Sequence, residues 1–133
     1  VSLQQLTHTL SEQTGIQIQF KCIGLTGKRL QPDVETNLYR IVQEAITNAI
    51  KHSHATRAGV VMDMRPDKTA IIIEDDGIGF DVNMIGKSGH LGLVGLQERV
   101  EMLGGSLEIE SKAGTGTTIV VEVADENPNF DRG

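Results

Sequence analysis

The sequence predicts an α+β fold, a two-layer α/β sandwich with a mixed sheet of about five strands packed on about three helices. Three observations carry that expectation. The chain has 133 residues and 14.4 kDa, the size of one domain. Its apolar residues recur at helical spacing in three segments and at strand spacing in five. Most of the strand segments follow one another through short turns, as hairpins do, and helices covering one face of such a sheet are the natural packing solution.

Leu3, Leu6 and Leu10 have helical spacing, and Thr14-Gly15 is a stop signal for the first helix. Ile16, Ile18, Phe20 and Cys22 then alternate with polar residues, the pattern of a half-buried strand. After a loop over Gly24–Arg29, Pro32 and Asp33 open the strongest helix. Its apolar stripe is Val34, Leu38, Ile41, Val42, Ala45, Ile46, Ala49 and Ile50. Ala58–Arg65 and Thr69–Glu74, separated by Pro66-Asp67-Lys68, read as an antiparallel hairpin. A polar stretch without periodicity follows from Asp75 to His90 and is longer than most connections. Leu93, Leu96, Val100 and Leu103 mark a third helix closed by Gly104-Gly105. Ser106–Glu110 and Thr117–Val123 are the last strands, joined by a turn over Lys112–Gly116. Residues 125–133 are a polar tail, expected to be frayed.

Composition excludes several function classes. Aromatic residues are 3% with no Trp, which leaves few platforms for stacking bases. Twelve basic and eighteen acidic side chains give a formal charge of −6, the wrong sign for binding a nucleic-acid backbone. The single Cys22 rules out an internal disulfide framework and fits a reducing compartment. No apolar run approaches the ~20 residues that span a bilayer. A cytosolic domain is expected, and a chain that begins with Val reads as a piece of a longer one.

Three segments carry candidate chemistry. At about 100° per residue, Glu44, Asn48 and Lys51 share a narrow arc bordering the apolar stripe, with His52 beside it. A neutral oxygen ligand and an ammonium can hold Mg²⁺ and phosphate, and Glu44 can orient or deprotonate a nucleophile. The same arc also describes a solvated helix face. The segment Glu74-Asp75-Asp76-Gly77-Ile78-Gly79-Phe80-Asp81 places a carboxylate at a strand end, where it can accept from an exocyclic amine. Its two glycines permit close approach of a flat ligand. It lacks the spacing of a P-loop, a dinucleotide fingerprint or an EF-hand, and it also reads as an ordinary turn, with Phe80 in the core. Gly86, Gly89, Gly92 and Gly95 surround Lys87 and His90 and run into the third helix, which suits a lid ending at an anion-binding helix N-terminus or simply a mobile loop. Gly114–Thr118 reads first as a hairpin turn.

In this order, Glu44-x3-Asn48-x2-Lys51-His52, Asp75-x-Gly77-x-Gly79, Gly92-Leu93-x-Gly95-Leu96 and Gly116-Thr117 closely resemble the ATP-binding catalytic domain of sensor histidine kinases, within the GHKL superfamily. The run from Leu38 to Ser53 and the string Gln97-Glu98-Arg99-Val100 look like the NarX-type subfamily. The resemblance covers about Ile16 to Val123. It implies a Bergerat-type ATP-binding fold over 15–124, with residues 1–14 as the end of a helix arriving from a dimerisation and phosphoacceptor domain.

The resemblance further implies that Asn48 ligates Mg²⁺ on the ATP phosphates and that Glu44 positions or activates the nucleophile or a water. Lys51, His52, Lys87 and His90 would approach phosphate oxygens. Asp75 would accept from the adenine amine, with Gly77 and Gly79 allowing close approach. Gly92, Leu93 and Gly95 would form the junction of lid and helix, and Thr117 would lie near adenine. His90 departs from the Gly that many such kinases carry. The implied partners are ATP, the phosphoacceptor domain of a parent kinase that can be membrane-anchored and a response regulator with a helix-turn-helix output, with this part itself monomeric. His8 is followed by Thr9 rather than an acidic residue and reads as an exposed helix position, not as the phosphoacceptor. A GHKL-type anti-sigma-factor serine kinase or ATPase and a non-catalytic docking domain are the alternatives.

Overall fold

The computed structural model describes residues 3–24, 30–52, 54–79, 91–112 and 114–124, with the backbone alone at 52, 91–93 and 112. Its elements are α1 (Leu3–Thr14), β1 (Gln17–Gly24), α2 (Pro32–His52), β2 (Arg57–Met64), β3 (Lys68–Asp75), α3 (Leu91–Met102), β4 (Ser106–Lys112) and β5 (Gly116–Ala124). The strands form one sheet in the order β1-β2-β3-β5-β4. β1 pairs parallel to β2, and the other three pairings are antiparallel. The two hairpins are β2–β3 and β4–β5. The first strand instead reaches its neighbour by the crossover through α2, as a parallel pair requires.

Register fixes which side chains face the helices. One rung runs Phe20–Val60–Ile73–Ile119–Ile109, and the next on the same face runs Cys22–Met62–Ile71–Val121–Leu107. Val60, Ile71, Ile73, Ile119 and Val121 are buried there against Leu38, Ile41, Val42 and Ile46 of α2 and Leu96 and Val100 of α3. The core is aliphatic, as the scarcity of aromatic residues requires.

Local signals explain the helix ends. Pro32 occupies the first turn of α2, where its missing N–H costs nothing, and Asp33 and Glu35 place negative charge at the positive end of the helix dipole. Residues Leu38, Ile41, Val42, Ala45, Ile46 and Ala49 are buried, the stripe that the periodicity predicts. At the end of α3, Gly104 has φ +69°, its N–H donates to Glu101 O at 2.9 Å and the Gly105 N–H to Val100 O at 3.0 Å, which is a Schellman closure.

α1 ends as its sequence suggests: Gly15 has φ +78° and donates to Ser11 O at 3.0 Å. Leu6 is 4% exposed and belongs to the same core as α2, so α1 is packed into the helix layer. His8 lies on its outer face, 3.4 Å from Glu12. None of the helices among the described residues is long and apolar enough to cross a membrane.

Candidate functional site

The β3 end of the sheet supplies the first group of site residues. Pairing aligns Ile18, Ala58, Asp75, Thr117 and Ser111 on the helix-facing side, one rung beyond the apolar core. Asp75 is half-buried and accepts a 2.8 Å hydrogen bond at Oδ1 from the Gly77 N–H. Burial pushes its carboxyl above the ordinary value, the Gly77 N–H opposes that, and the Asp76 charge adds to it. Its second oxygen has no hydrogen bond among the described residues, so it is available to an amine. Thr117 is buried, with its hydroxyl 2.8 Å from that of Ser111.

Asp76 faces a different task. Its Oδ1 accepts from the N–H groups of Thr56 (2.8 Å) and Arg57 (3.0 Å), and its Oδ2 accepts from the Thr56 hydroxyl at 2.8 Å. These donors, led by the Arg57 N–H and the Thr56 hydroxyl, hold its carboxyl down at about 2. The consequence is mechanical: the loop that follows Asp75 is pinned to the start of β2. Both acidic side chains of the Asp75-Asp76 pair therefore have defined work, which accounts for them without a calcium loop.

On its other side the same loop is held by the β4–β5 turn, where the Gly114 N–H donates to Ile78 O. Gly79 adopts φ +70°, a conformation that favours glycine. Gly116 is constrained twice: φ is +89°, and a Cβ there would stand 2.3 Å from the Asp75 carbonyl oxygen. The Gly116-Thr117 element thus touches the backbone of the residue it is expected to assist. A groove of about 890 Å³ opens at this end of the sheet, lined by Asp75, Asp76, Ser111, Gly116 and Thr117. It also runs over the rung Gln19–Gly59–Glu74–Thr118–Glu110 on the opposite sheet face, and it does not include α2. Asp75 and Thr117, rather than the volume as a whole, define the candidate site.

The second group lies on α2. Glu44 and Asn48 are half-buried at the edge of the apolar stripe, and Lys51 is exposed in the last turn. Glu44 Oε2 is 3.3 Å from Arg99 Nη2 on α3, while Glu44 Oε1 is buried without a hydrogen-bond partner among the described residues. The amide nitrogen of Asn48 is likewise buried and has no partner among the described residues. Leaving such groups unsatisfied costs roughly 1–3 kcal/mol each, so two of them one helical turn apart mark a place where a polar ligand is expected. A carboxylate and a carboxamide suit Mg²⁺ carried by phosphates, because that ion commonly takes only one or two protein ligands. The described residues contain no cluster of three His, Cys, Asp or Glu side chains that could hold a metal alone.

The structure thus gathers Asp75, Gly77, Gly79 and Thr117 at the sheet end and Glu44, Asn48 and Lys51 along α2, with no side-chain hydrogen bond between the two groups among the described residues. Gly92, Leu93 and Gly95 fall in the first half of α3, whose backbone is helical from Leu91. Gly95 has no heavy atom within 4 Å of a Cβ position. Lys87, His90, Gly86, Gly89 and Phe80 lie outside the described residues, as does the side chain of His52.

Four further residues shape the site without having been given a role there from the sequence: Asp76, Ser111, Asn37 and Arg99. Ser111 was the most accessible, since the alternation Leu107, Ile109, Ser111 places a hydroxyl at an inward position. Asp76 and Arg99 act on partners 20 and 55 positions away, and no local pattern marks such contacts.

Comparison with known proteins identifies the family. Residues 33–127 match the family described as histidine kinase-, DNA gyrase B- and HSP90-like ATPase. The signal transduction histidine-protein kinase/phosphatase DegS of Brevibacillus brevis is 42% identical over 122 residues, 92% of this chain and 31% of that protein. DegS of Bacillus subtilis is 39% identical over 126 residues, 92% of this chain and 33% of that protein. The chain therefore spans about a third of the length of these relatives. Among solved structures, the histidine kinase domain of the blue-light activated histidine kinase EL346 from Erythrobacter litoralis aligns with a TM-score of 0.66 at 22% identity. That alignment covers 91% of this chain and 62% of that one, and it supports the fold.

Proposed function

Because the chain belongs to the histidine kinase-, DNA gyrase B- and HSP90-like ATPase family, we propose that it is the ATP-binding catalytic part of a sensor histidine kinase. In this reading it binds Mg-ATP and supplies the γ-phosphoryl group to a histidine on a separate dimerisation domain, from which a response regulator is phosphorylated in two-component signalling. The observation that carries the reading is the pair of orphaned polar atoms, Glu44 Oε1 and Asn48 Nδ2, on one face of α2. Asp75, whose second oxygen has no hydrogen bond among the described residues, supplies the complementary adenine position.

The residues divide the work. Asp75 accepts a hydrogen bond from the exocyclic amine of adenine, and the loop pinned by Asp76 keeps that carboxylate in place. Thr117 and Gly116 form the adjoining wall. Asn48 turns its carboxamide oxygen toward the phosphates, the two orientations of a carboxamide being interchangeable by a rotation. With Mg²⁺ bound on those phosphates beside Asn48, positive charge would be available against the charge that develops during transfer. Lys51, His52, Lys87 and His90 add positive charge or hydrogen-bond donors along the phosphate chain, and the first turn of α3 with Gly92, Leu93 and Gly95 offers N–H groups. Glu44 Oε1, which has no partner among the described residues, is the acceptor that orients the attacking group or takes its proton. Residues 1–14 continue a connection from the phosphoacceptor domain, and the site works on the cytoplasmic side as a monomeric unit.

Mg-ATP binding to the chain and to Asn48→Ala and Asp75→Asn tests the assignment. Each variant is expected to lose at least about tenfold in affinity, which is about 1.4 kcal/mol. An unchanged dissociation constant in either removes the role given to that residue.

A further inference from the structure

The guanidinium of Arg99 sits between α2 and α3 and reaches two residues of α2 that are seven positions apart. Its Nη2 is 3.3 Å from Glu44 Oε2, and its Nη1 donates to Asn37 Oδ1 at 3.5 Å. Asn37 is itself oriented, because its Nδ2 donates to the Asp33 carbonyl at 2.8 Å. Residues 37, 44, 48 and 51 fall on one stripe of α2 at intervals of seven, four and three. The polar arc read from the sequence thus extends two turns toward the N-terminus of the helix, and Arg99 binds its upper half.

Both ends of this bridge stand on fixed supports. Arg99 lies beside Val100 and one turn after Leu96, which are 1% and 0% exposed, while Glu44 is flanked by Val42, Ala45 and Ile46 in the core. The side chains of Arg99 and Glu44 are themselves only 29% and 39% exposed. An ion pair retained merely as surface decoration would be freely solvated. This one instead engages one carboxylate oxygen and leaves the other, Oε1, buried without a partner. Arg99 Nε is also buried without a partner among the described residues, so its donors there are not all satisfied. What the arrangement does achieve is to define the rotamer of Glu44 from one side only.

We propose that Arg99 is a positioning residue for Glu44: by holding Oε2, it keeps Oε1 presented as the acceptor at the reaction centre. The inference rests on the catalytic assignment of Glu44 made above. The same contact joins α3, which carries Gly92 and Gly95 in its first half, to the helix that carries the candidate acceptor. Arg is suited to this because its planar fork can serve Asn37 and Glu44 together, which the single ammonium of Lys cannot do with the same geometry.

A mutant cycle in the full kinase carrying these residues separates the possibilities, with phosphoryl transfer measured at saturating Mg-ATP and Mg-ATP affinity measured in parallel. Glu44→Gln is expected to lower transfer by at least about tenfold, within the range that general acid–base groups contribute, while affinity stays within about threefold. Arg99→Met is expected to lower transfer by about tenfold at similar affinity and to add little in the Glu44→Gln background. Arg99→Lys should recover part of the loss, and Asn37→Ala, which leaves the ion pair in place, should cost about threefold. These last two also carry the test if Arg99→Met does not fold, as thermal melting would reveal. The inference is overturned if Arg99→Met leaves transfer unchanged or raises it, if its loss lies wholly in Mg-ATP affinity, or if the two losses multiply fully in the double variant. It is equally overturned if Arg99→Lys and Asn37→Ala both transfer at the unaltered rate. If Glu44→Gln transfers normally, the assignment of Glu44 falls and the positioning role falls with it; if only the Arg99 variants are silent, Glu44 keeps its role.

Discussion

Asp75 and Asp76 are neighbours in the chain with opposite electrostatic surroundings, and the contrast has consequences that a pH series can read. Asp75 is desolvated, so its folded-state carboxyl lies above the ordinary value. Its protonation stabilises the fold relative to the unfolded chain at low pH, and that contribution is lost as pH rises through the raised value. Ligand binding has the opposite preference, because an adenine amine needs an ionised acceptor. ATP affinity is therefore expected to weaken with acidification from a pH above that of an ordinary Asp, and Asp75→Asn should abolish that dependence. Titration calorimetry across the acid range checks this, and an identical slope in the variant would remove Asp75 from the adenine contact. Asp76 behaves inversely. Its carboxyl is depressed from 3.8 to about 2, so its contribution to stability is present above pH 3.8 and disappears as pH falls toward 2. Thermal melting of Asp76→Asn should show a shallower acid dependence across that window than the wild-type protein.

At the scale of elements, α1 is the piece whose importance a sequence reading understates. Three leucines at helical spacing suggest a short helix with little to bury, yet Leu6 is enclosed by the same core that holds α2. Leu6→Ala is expected to destabilise the protein by about 2–5 kcal/mol, the cost of a cavity at a closed site, as measured by denaturant unfolding. A change below about 0.5 kcal/mol, typical of surface substitutions, would show that α1 is only loosely attached. The contrast with α2 shows what is legible and why. A long helix with Pro32 at its start and six buried positions at intervals of three and four declares both its limits and its inner face, and the arc of Glu44, Asn48 and Lys51 follows from the same 100° rotation. Strand alternation is just as clear about faces: Ile18 and Phe20 point inward, as predicted. Alternation does not name neighbours, however, and nothing local in β1 states that it lies parallel to β2. The same limit applies inside the site. Asp75 was readable because it ends an Ile-rich strand before two glycines. Asp76 and Arg99 were not, because their partners come from the junction of α2 and β2 and from a helix three elements earlier.

At the scale of the molecule, charge decides what must accompany the nucleotide. The chain carries a formal charge of −6, and ATP adds about four more negative charges, whose repulsion from a like-signed site is only partly screened at physiological salt. The protein's own offset is small: the described cations along this side of α2 are Arg40 and Lys51, both exposed, while Arg99 is engaged with Glu44. Asn48 is neutral, and no trio of acidic or imidazole side chains among the described residues could retain a metal without the phosphates. Metal and nucleotide should consequently bind as a unit, each weak without the other. ATP affinity is expected to fall by at least about tenfold when Mg²⁺ is removed with a chelator, and Mg²⁺ alone should bind too weakly to raise the melting temperature at millimolar concentration. Asn48→Ala should shrink the gap between the Mg²⁺ and chelator conditions, since it removes the protein's link to the metal while leaving the adenine contact at Asp75. Asp75→Asn should instead weaken binding by a similar factor in both conditions. Calorimetry with the two variants, each with and without chelator, distinguishes these patterns. Equal ATP affinity in the two conditions for the unaltered chain would mean that the protein's own cations suffice, and the metal role of Asn48 would then fall.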